Sequence, residues 1–274
     1  MKRIGYWLLA MVILSTASCG DSEERAPGVG DCDGVLCGNP GGGGSTTPTP
    51  EAGVDADPGL DAGEDAAVVE LSGGVVRLVE ETFTQALPFD GWGYLRVPTA
   101  SGDEQVDFGG DAGVGFSVPG VVAGNGWFTV VPNSTFLDGV MPTYAYLQVP
   151  EQGASDFEVP VVDRDVLTVL YASLAPPAVV RADAAHVVVV FEKGGQRLSG
   201  VRVSSHPSAE AVAYDQGVGF AADATETGPN GVVLLVNVTG TGPLRWRVGD
   251  GADSTLTLVH VPGQASFVRV VVPD

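Results

Sequence analysis

Three cysteines and three histidines are the side chains of this 274-residue chain best suited to covalent or metal chemistry. Cys19, Cys32 and Cys37 are too few for a structural zinc site, and no histidine neighbours them. His186, His206 and His260 fall in neither His-Glu-x-x-His nor His-x-His spacing, and no Gly-x-Ser-x-Gly nucleophile turn occurs. "HPSAE" pairs His206 with Glu210, but Pro207 marks that stretch as a loop. His186 and His260 fall in expected strands, as buried or edge side chains. No catalytic residues are assigned, and the chain is expected not to be an enzyme.

Two other groups bear on binding. "FDGWGYLRV" sets Phe89, Trp92 and Tyr94 around glycines, with Trp127 in the next turn region. Rings on exposed loops stack on sugar faces or anchor protein partners, whereas the same rings turned inward are sandwich core. Asp55, Asp57, Asp61, Glu64 and Asp65 have the look of a calcium loop, but Pro58 interrupts the array and the third ligand is displaced. A solvated acidic linker is the expectation there, with no metal and no cofactor; calcium at the linker is the weaker alternative.

Charge narrows the partners. The chain carries −21 and only two lysines. A nucleic-acid binder needs basic patches to displace counterions, so that class is excluded by expectation, and direct docking on anionic lipid is disfavoured.

The elements that must position these residues begin with an export signal. Lys2 and Arg3 precede an apolar run from Ile4 to Leu14 and small residues from Ser15 to Ser18. The run is short of the about 20 residues that cross a bilayer. Thr16-Ala17-Ser18-Cys19 resembles the lipobox of bacterial lipoproteins, in which the cysteine is acylated and becomes the first residue; Thr16 departs from the usual leucine. The resemblance implies a lipid, palmitate among its chains, on Cys19. Ordinary cleavage after Ser18 and secretion is the alternative. With Cys19 lipidated, Cys32 and Cys37 in "CDGVLCG" remain as an even pair able to close a small disulfide loop. Removing Lys2 and Arg3 with the signal takes the charge to −23. Gly20 stands where some inner-membrane lipoproteins carry a retention aspartate, so the outer membrane is the expected destination.

Residues 19–72 are rich in Gly, Pro, Ser, Thr, Ala and acid, a composition too poor in apolar surface to offset the entropy of ordering. Such a tether of some 50 residues reaches roughly 40 Å. From Gly73 the chain repeats itself. "DAGVGFSVPGVVAGNGWFTVV" returns as "DQGVGFAADATETGPNGVVLLV", and "VVRLVEETFTQAL" as "VVVVFEKGGQRL". The period of about a hundred residues suits a sandwich domain. Asp111 with Asn125, and Asp215 with Asn230, recur in turn-forming positions.

"LRWRV" alternates Leu244, Trp246 and Val248 against Arg245 and Arg247, the period of a strand buried on one side. "SFVRVVV" alternates likewise. These patterns predict an all-β fold: two antiparallel Greek-key sandwiches, of transthyretin or immunoglobulin type, in residues 73–163 and 181–274. In the connector 164–180, Val166, Leu167, Leu170 and Leu174 share a helical face, Asp163 or Asp165 can cap it, and Pro176-Pro177 stops it.

The second copy resembles the carboxypeptidase regulatory-like, transthyretin-like sandwich. The resemblance rests on the Gly-x-x-Leu-x-Gly-Val-x-Val run from Gly195 to Val203, a Thr-x-x-x-Gly step before a strand, and a final strand pair; it spans about 185–273. The first copy fits more loosely. The resemblance implies a non-catalytic appendage of an exported protein. The expectation is a non-enzymatic envelope lipoprotein displaying two sandwiches for adhesion, structure or accessory binding. It touches membrane through lipid alone and meets an envelope protein or glycan. A carbohydrate-binding module using Phe89, Trp92, Tyr94 and Trp127 is the alternative, and a divergent enzyme the third.

Overall fold

A computed structural model describes residues 66–109, 115–133 and 139–273. Cys19, Cys32, Cys37, the acidic array from Asp55 to Asp65, and Asp111 lie outside the described residues.

Among the described residues the first half contains eight strands: β1 (Val68–Leu78), β2 (Ala86–Pro88), β3 (Gly93–Thr99), β4 (Gly102–Phe108), β5 (Gly115–Val122), β6 (Gly124–Pro132), β7 (Thr143–Val149) and β8 (Ala154–Val162). Helix α1 (Arg164–Ser173) follows. The second half holds β9 (Ala185–Lys193), β10 (Gln196–Arg197), β11 (Val201–Ser205), β12 (Ala211–Asp215), β13 (Phe220–Ala221), β14 (Val232–Val238), β15 (Pro243–Val248), β16 (Ser254–Thr257) and β17 (Ala265–Val271). The fold is all-β and mostly antiparallel, as the turn-rich, Val-rich sequence predicts.

The halves are joined by hydrogen bonding. The main sheet runs β13-β12-β14-β9-β17-β7-β6-β3-β5-β1-β2, and β11-β15-β16 forms a separate three-stranded sheet. Strand β17 lies between the halves, parallel to β9 on one side and to β7 on the other. The boundary expected between 73–163 and 181–274 is therefore crossed by main-chain pairing. Arg197 adds a polar link, its Nη2 donating to the Phe83 carbonyl at 2.8 Å.

The continuous apolar runs explain this arrangement. A strand buried on both faces needs no alternation, and "HVVVVF" in β9 and "VVLLVNV" in β14 are buried throughout. Successive side chains still point to opposite faces. Val188, Val190, Val232, Leu234 and Phe267 enter a core shared with Leu95, Phe128 and Val159 of the first half. Val187, Val189, Phe191, Val233, Leu235 and Val268 enter a second core closed by Val201, Leu244 and Trp246 of the smaller sheet. The middle of the second half is thus the inner layer of three. The one-sided burial expected of "SFVRVVV" is corrected accordingly: Ala265 to Val268 are buried on both faces. For β15 the one-sided pattern holds, with Leu244 and Trp246 buried and Arg245 and Arg247 exposed.

Helix α1 coincides with the spacing of Val166, Leu167, Leu170 and Leu174. Leu167, Leu170 and Tyr171 are its buried face. Asp163 caps it, Oδ1 accepting from the Asp165 amide at 2.7 Å, and its Oδ2 accepts from Arg77 Nε at 2.7 Å and from Arg77 Nη2. One buried carboxylate thereby ties the helix start to β1.

Candidate functional site

The four aromatics weighed as sandwich core or as ligand contacts do not all gather in one place. Phe89 is buried, packed edge-on to Phe108 with centroids 5.9 Å apart; this corrects its assignment as a ligand contact, because its ring is spent on the core. Trp92 is 41% exposed, and its carbonyl accepts from the Asn133 amide at 2.8 Å. Tyr94 is half-buried beneath the Arg96 guanidinium, 5.5 Å from the ring centre. Trp127 is half-buried against the second core, its ring 5.0 Å from that of Tyr146.

Strand register supplies a different grouping. Arg96 opposes Thr129, Thr129 opposes Tyr144, and Trp127 opposes Tyr146. Residues directly opposite share a face, so Tyr94, Trp127, Tyr144 and Tyr146 line one side of β3-β6-β7. Tyr144 and Tyr146 were not singled out from sequence, although the alternation in "TYAYLQV" carries the signal: Thr143, Ala145 and Leu147 are buried and the tyrosines between them half-exposed. Burial pushes the Tyr146 hydroxyl pKa up.

The polar residues of the second half are engaged in holding backbone. Asp215, 1% exposed, accepts three main-chain hydrogen bonds: Oδ1 from Gly217 at 3.0 Å and Asn230 at 3.1 Å, Oδ2 from Val232 at 3.1 Å. This is the turn-stabilising use expected of the Asp215–Asn230 pair. Thr227 accepts from the Val201 amide and donates to the Leu198 carbonyl, both at 3.0 Å. Gly231 lies four residues on at φ +64°, and a Cβ there would meet Phe191 O at 2.7 Å and Leu198 N at 2.8 Å. The Thr-x-x-x-Gly step is therefore a clamp on the segment around Leu198, with glycine demanded by both φ and space.

Asn237 is the residue sequence reading passed over. It sits in β14 at φ +49° and is 1% exposed. Its Oδ1 accepts from the Arg181 amide at 3.2 Å, and its Nδ2 donates to Val179 O and to Glu210 Oε2, both at 2.8 Å. Asparagine tolerates the left-handed conformation better than most residues. An amide inside the apolar run "VVLLVNV" was the available signal.

Of the histidines, His186 is fully buried on β9. Its Nε2 lies 3.2 Å from the Arg181 carbonyl, which can only accept, so Nε2 carries the proton. Nδ1 is then the acceptor for the Tyr171 hydroxyl at 3.2 Å. Burial holds the His186 pKa below the ordinary imidazole value, and Arg164 pushes it the same way against the Arg181 carbonyl. Burial likewise raises the Tyr171 pKa well above that of a free phenol. The folded state protonates His186 only at a lower pH than the unfolded chain, which takes up the proton near pH 6.5. Stability is therefore full above about pH 6.5 and falls below it, by up to about 1.4 kcal/mol per pH unit, until the folded pKa is reached. Thermal midpoints from pH 7.5 to 5.5 should fall more steeply for the wild type than for His186→Gln; equal slopes would remove His186 as the source.

His206 is exposed in the loop after β11, and His260 Nε2 donates to the Gly240 carbonyl at 2.6 Å. Among the described residues there is no group of three or more His, Cys, Asp or Glu able to hold a metal, and no helix long and apolar enough to cross a membrane.

No family model and no curated protein matches the chain. Among solved structures, the TIE protein of Bacillus anthracis is similar at 10% identity and TM-score 0.22, over 76% of this chain and 34% of that one. The chain thus spans about a third of that protein's length. A streptococcal ancillary pilin is similar at 14% identity and TM-score 0.21, over 74% and 69% of the two chains. A mutant of the major pilin from Streptococcus pyogenes is similar at 8% identity and TM-score 0.18, over 76% and 100%.

Proposed function

We propose that this chain is a non-catalytic cell-envelope lipoprotein, anchored through Cys19 and displaying its β-sandwich unit on the acidic tether for adhesion, structure or accessory binding. The observation that carries this reading is how the buried polar side chains are employed. Asp215, Thr227 and Asn237 each bond to the main chain at a turn or connector, which is the work of a scaffold. The second half is read as a carboxypeptidase regulatory-like sandwich. Its support is that the motif residues Leu198, Val201, Thr227 and Gly231 meet at one clamp.

The anchor is tested by the mass of the N-terminal peptide from protein made in a bacterial host, without reduction. A diacyl or triacyl increment on Cys19, with Cys32 and Cys37 together two hydrogens light, is the expected result. An unmodified Cys19 would overturn the anchor and make a diffusible binding protein the better reading.

The half-exposed rings of Tyr94, Trp127, Tyr144 and Tyr146 on one sheet face favour a second reading, a carbohydrate-binding module. It is separated from the first by the Tyr144→Ala arm of the titration below.

A further inference from the structure

We propose that the outer face of the β11-β15-β16 sheet binds a linear acidic polysaccharide. Its inner side is apolar, with Leu244, Trp246 and Val248 packed on the second core. The pleat then turns Arg245 and Arg247 outward, and both are exposed. Register places Arg202 opposite Arg247, Ser205 opposite Arg245, and Thr255 opposite Arg245 on the other side. Three guanidiniums therefore share one strip of a chain whose net charge is −21.

Such a grouping has a cost, since like charges directly opposite on neighbouring strands are destabilising. Glu226 relieves Arg202, at 2.9 Å from its Nη2. Asp253 also borders the face and accepts from the Ser204 hydroxyl at 3.0 Å. Neither pairs with the arginines of β15: among the described residues the guanidiniums of Arg245 and Arg247 have no hydrogen bond or ion pair. Each presents a full fork of donors, the geometry that fits carboxylate and sulfate groups in pairs.

The chemistry of the face selects the ligand. The Cβ atoms that carry these side chains lie about 5 Å apart across strands and about 7 Å apart along β15. That layout follows an extended polymer carrying repeated anions. The exposed hydroxyls of Ser205, Thr255 and Thr257 flank it and can bond to sugar hydroxyls. The indole of Trp246 is turned into the core, so the face has no ring on which nucleobases would stack. It also lacks the large apolar side chains that enter lipid or anchor a peptide. The negative field of the whole chain repels a broad anionic surface, whereas a thin, flexible polymer can follow one strip.

The proposal deepens the accessory-binding role above and rests on it. The two fail separately, because the anchor is read from a mass and the face from a titration. Full mature chain is titrated calorimetrically with polygalacturonate oligosaccharides at low and moderate salt, with neutral dextran, polyglutamate and phosphatidylglycerol vesicles as comparison ligands. Binding to polygalacturonate alone, weakening with salt, is expected. The Arg245→Ser/Arg247→Ser variant should lose about tenfold or more in affinity, given the strength of charged hydrogen bonds. Both positions are exposed, so the fold should survive, which a circular dichroism melt checks. Four outcomes overturn the proposal: no binding, equal binding by the double variant, equal binding of a comparison ligand, or loss on Tyr144→Ala instead.

Discussion

Phe267→Ala should lower the unfolding free energy by about 3–5 kcal/mol, the usual cost of emptying a large aromatic site in a packed core. Phe267 is 1% exposed and belongs to the core that residues of both halves share. It stands on β17, whose neighbours are β7 and β9. The loss should therefore be felt on both sides of the strand. Trp92 reports from the first half and Trp246 from the second. Urea unfolding of the variant, followed at each indole in single-Trp backgrounds, should give one shifted midpoint common to both. If only one reporter shifted, the halves would be energetically separate despite their shared sheet.

Asp215→Ala should be nearly as damaging, about 3 kcal/mol or more, because it leaves buried main-chain donors without an acceptor. The three amides belong to Gly217, Asn230 and Val232, so the loop after β12 and the entry to β14 lose their common tie. Asp215→Asn should cost less. Its carbonyl oxygen can keep the two bonds made by Oδ1, while its amide group confronts the Val232 N–H. Hydrogen exchange should show the Val232 amide loosened in both variants and those of Gly217 and Asn230 mainly in the alanine variant. Unaltered exchange at all three would show that Asp215 does not hold the loop.

Much of the fold was legible because it depends on local rules. The alternation in "LRWRV" marks a strand with one wet face, and Asp163 with the leucines after it marks α1. The pairing of β17 with both β7 and β9 was not legible. A run such as "VVVV" states that both faces are buried without stating what covers them, and parallel partners distant in sequence leave no turn between them to read. The candidate aromatics divided between core and surface for a related reason. Glycines around Phe89, Trp92 and Tyr94 suggest a loop, yet whether a ring meets water depends on the layer above it. Phe89 went inward and Trp92 outward, although only two residues lie between them. Arg202 and Arg247 are 45 positions apart, and only register brings them side by side. The turn chemistry around Asp215 was readable because its partners lie close along the chain.

The place of β17 also fixes an order of events as the chain is made. Neither half can complete its sheet before Ala265–Val271 exists, because that stretch supplies the bonding partner for β7 on one side and β9 on the other. Until then β7 and β9 each keep an open edge, and the core around Phe267 lacks a wall. A nascent chain halted before this strand therefore remains pliable over both halves. In a module built this way β17 acts as a latch, and its docking is the step that closes both halves at once.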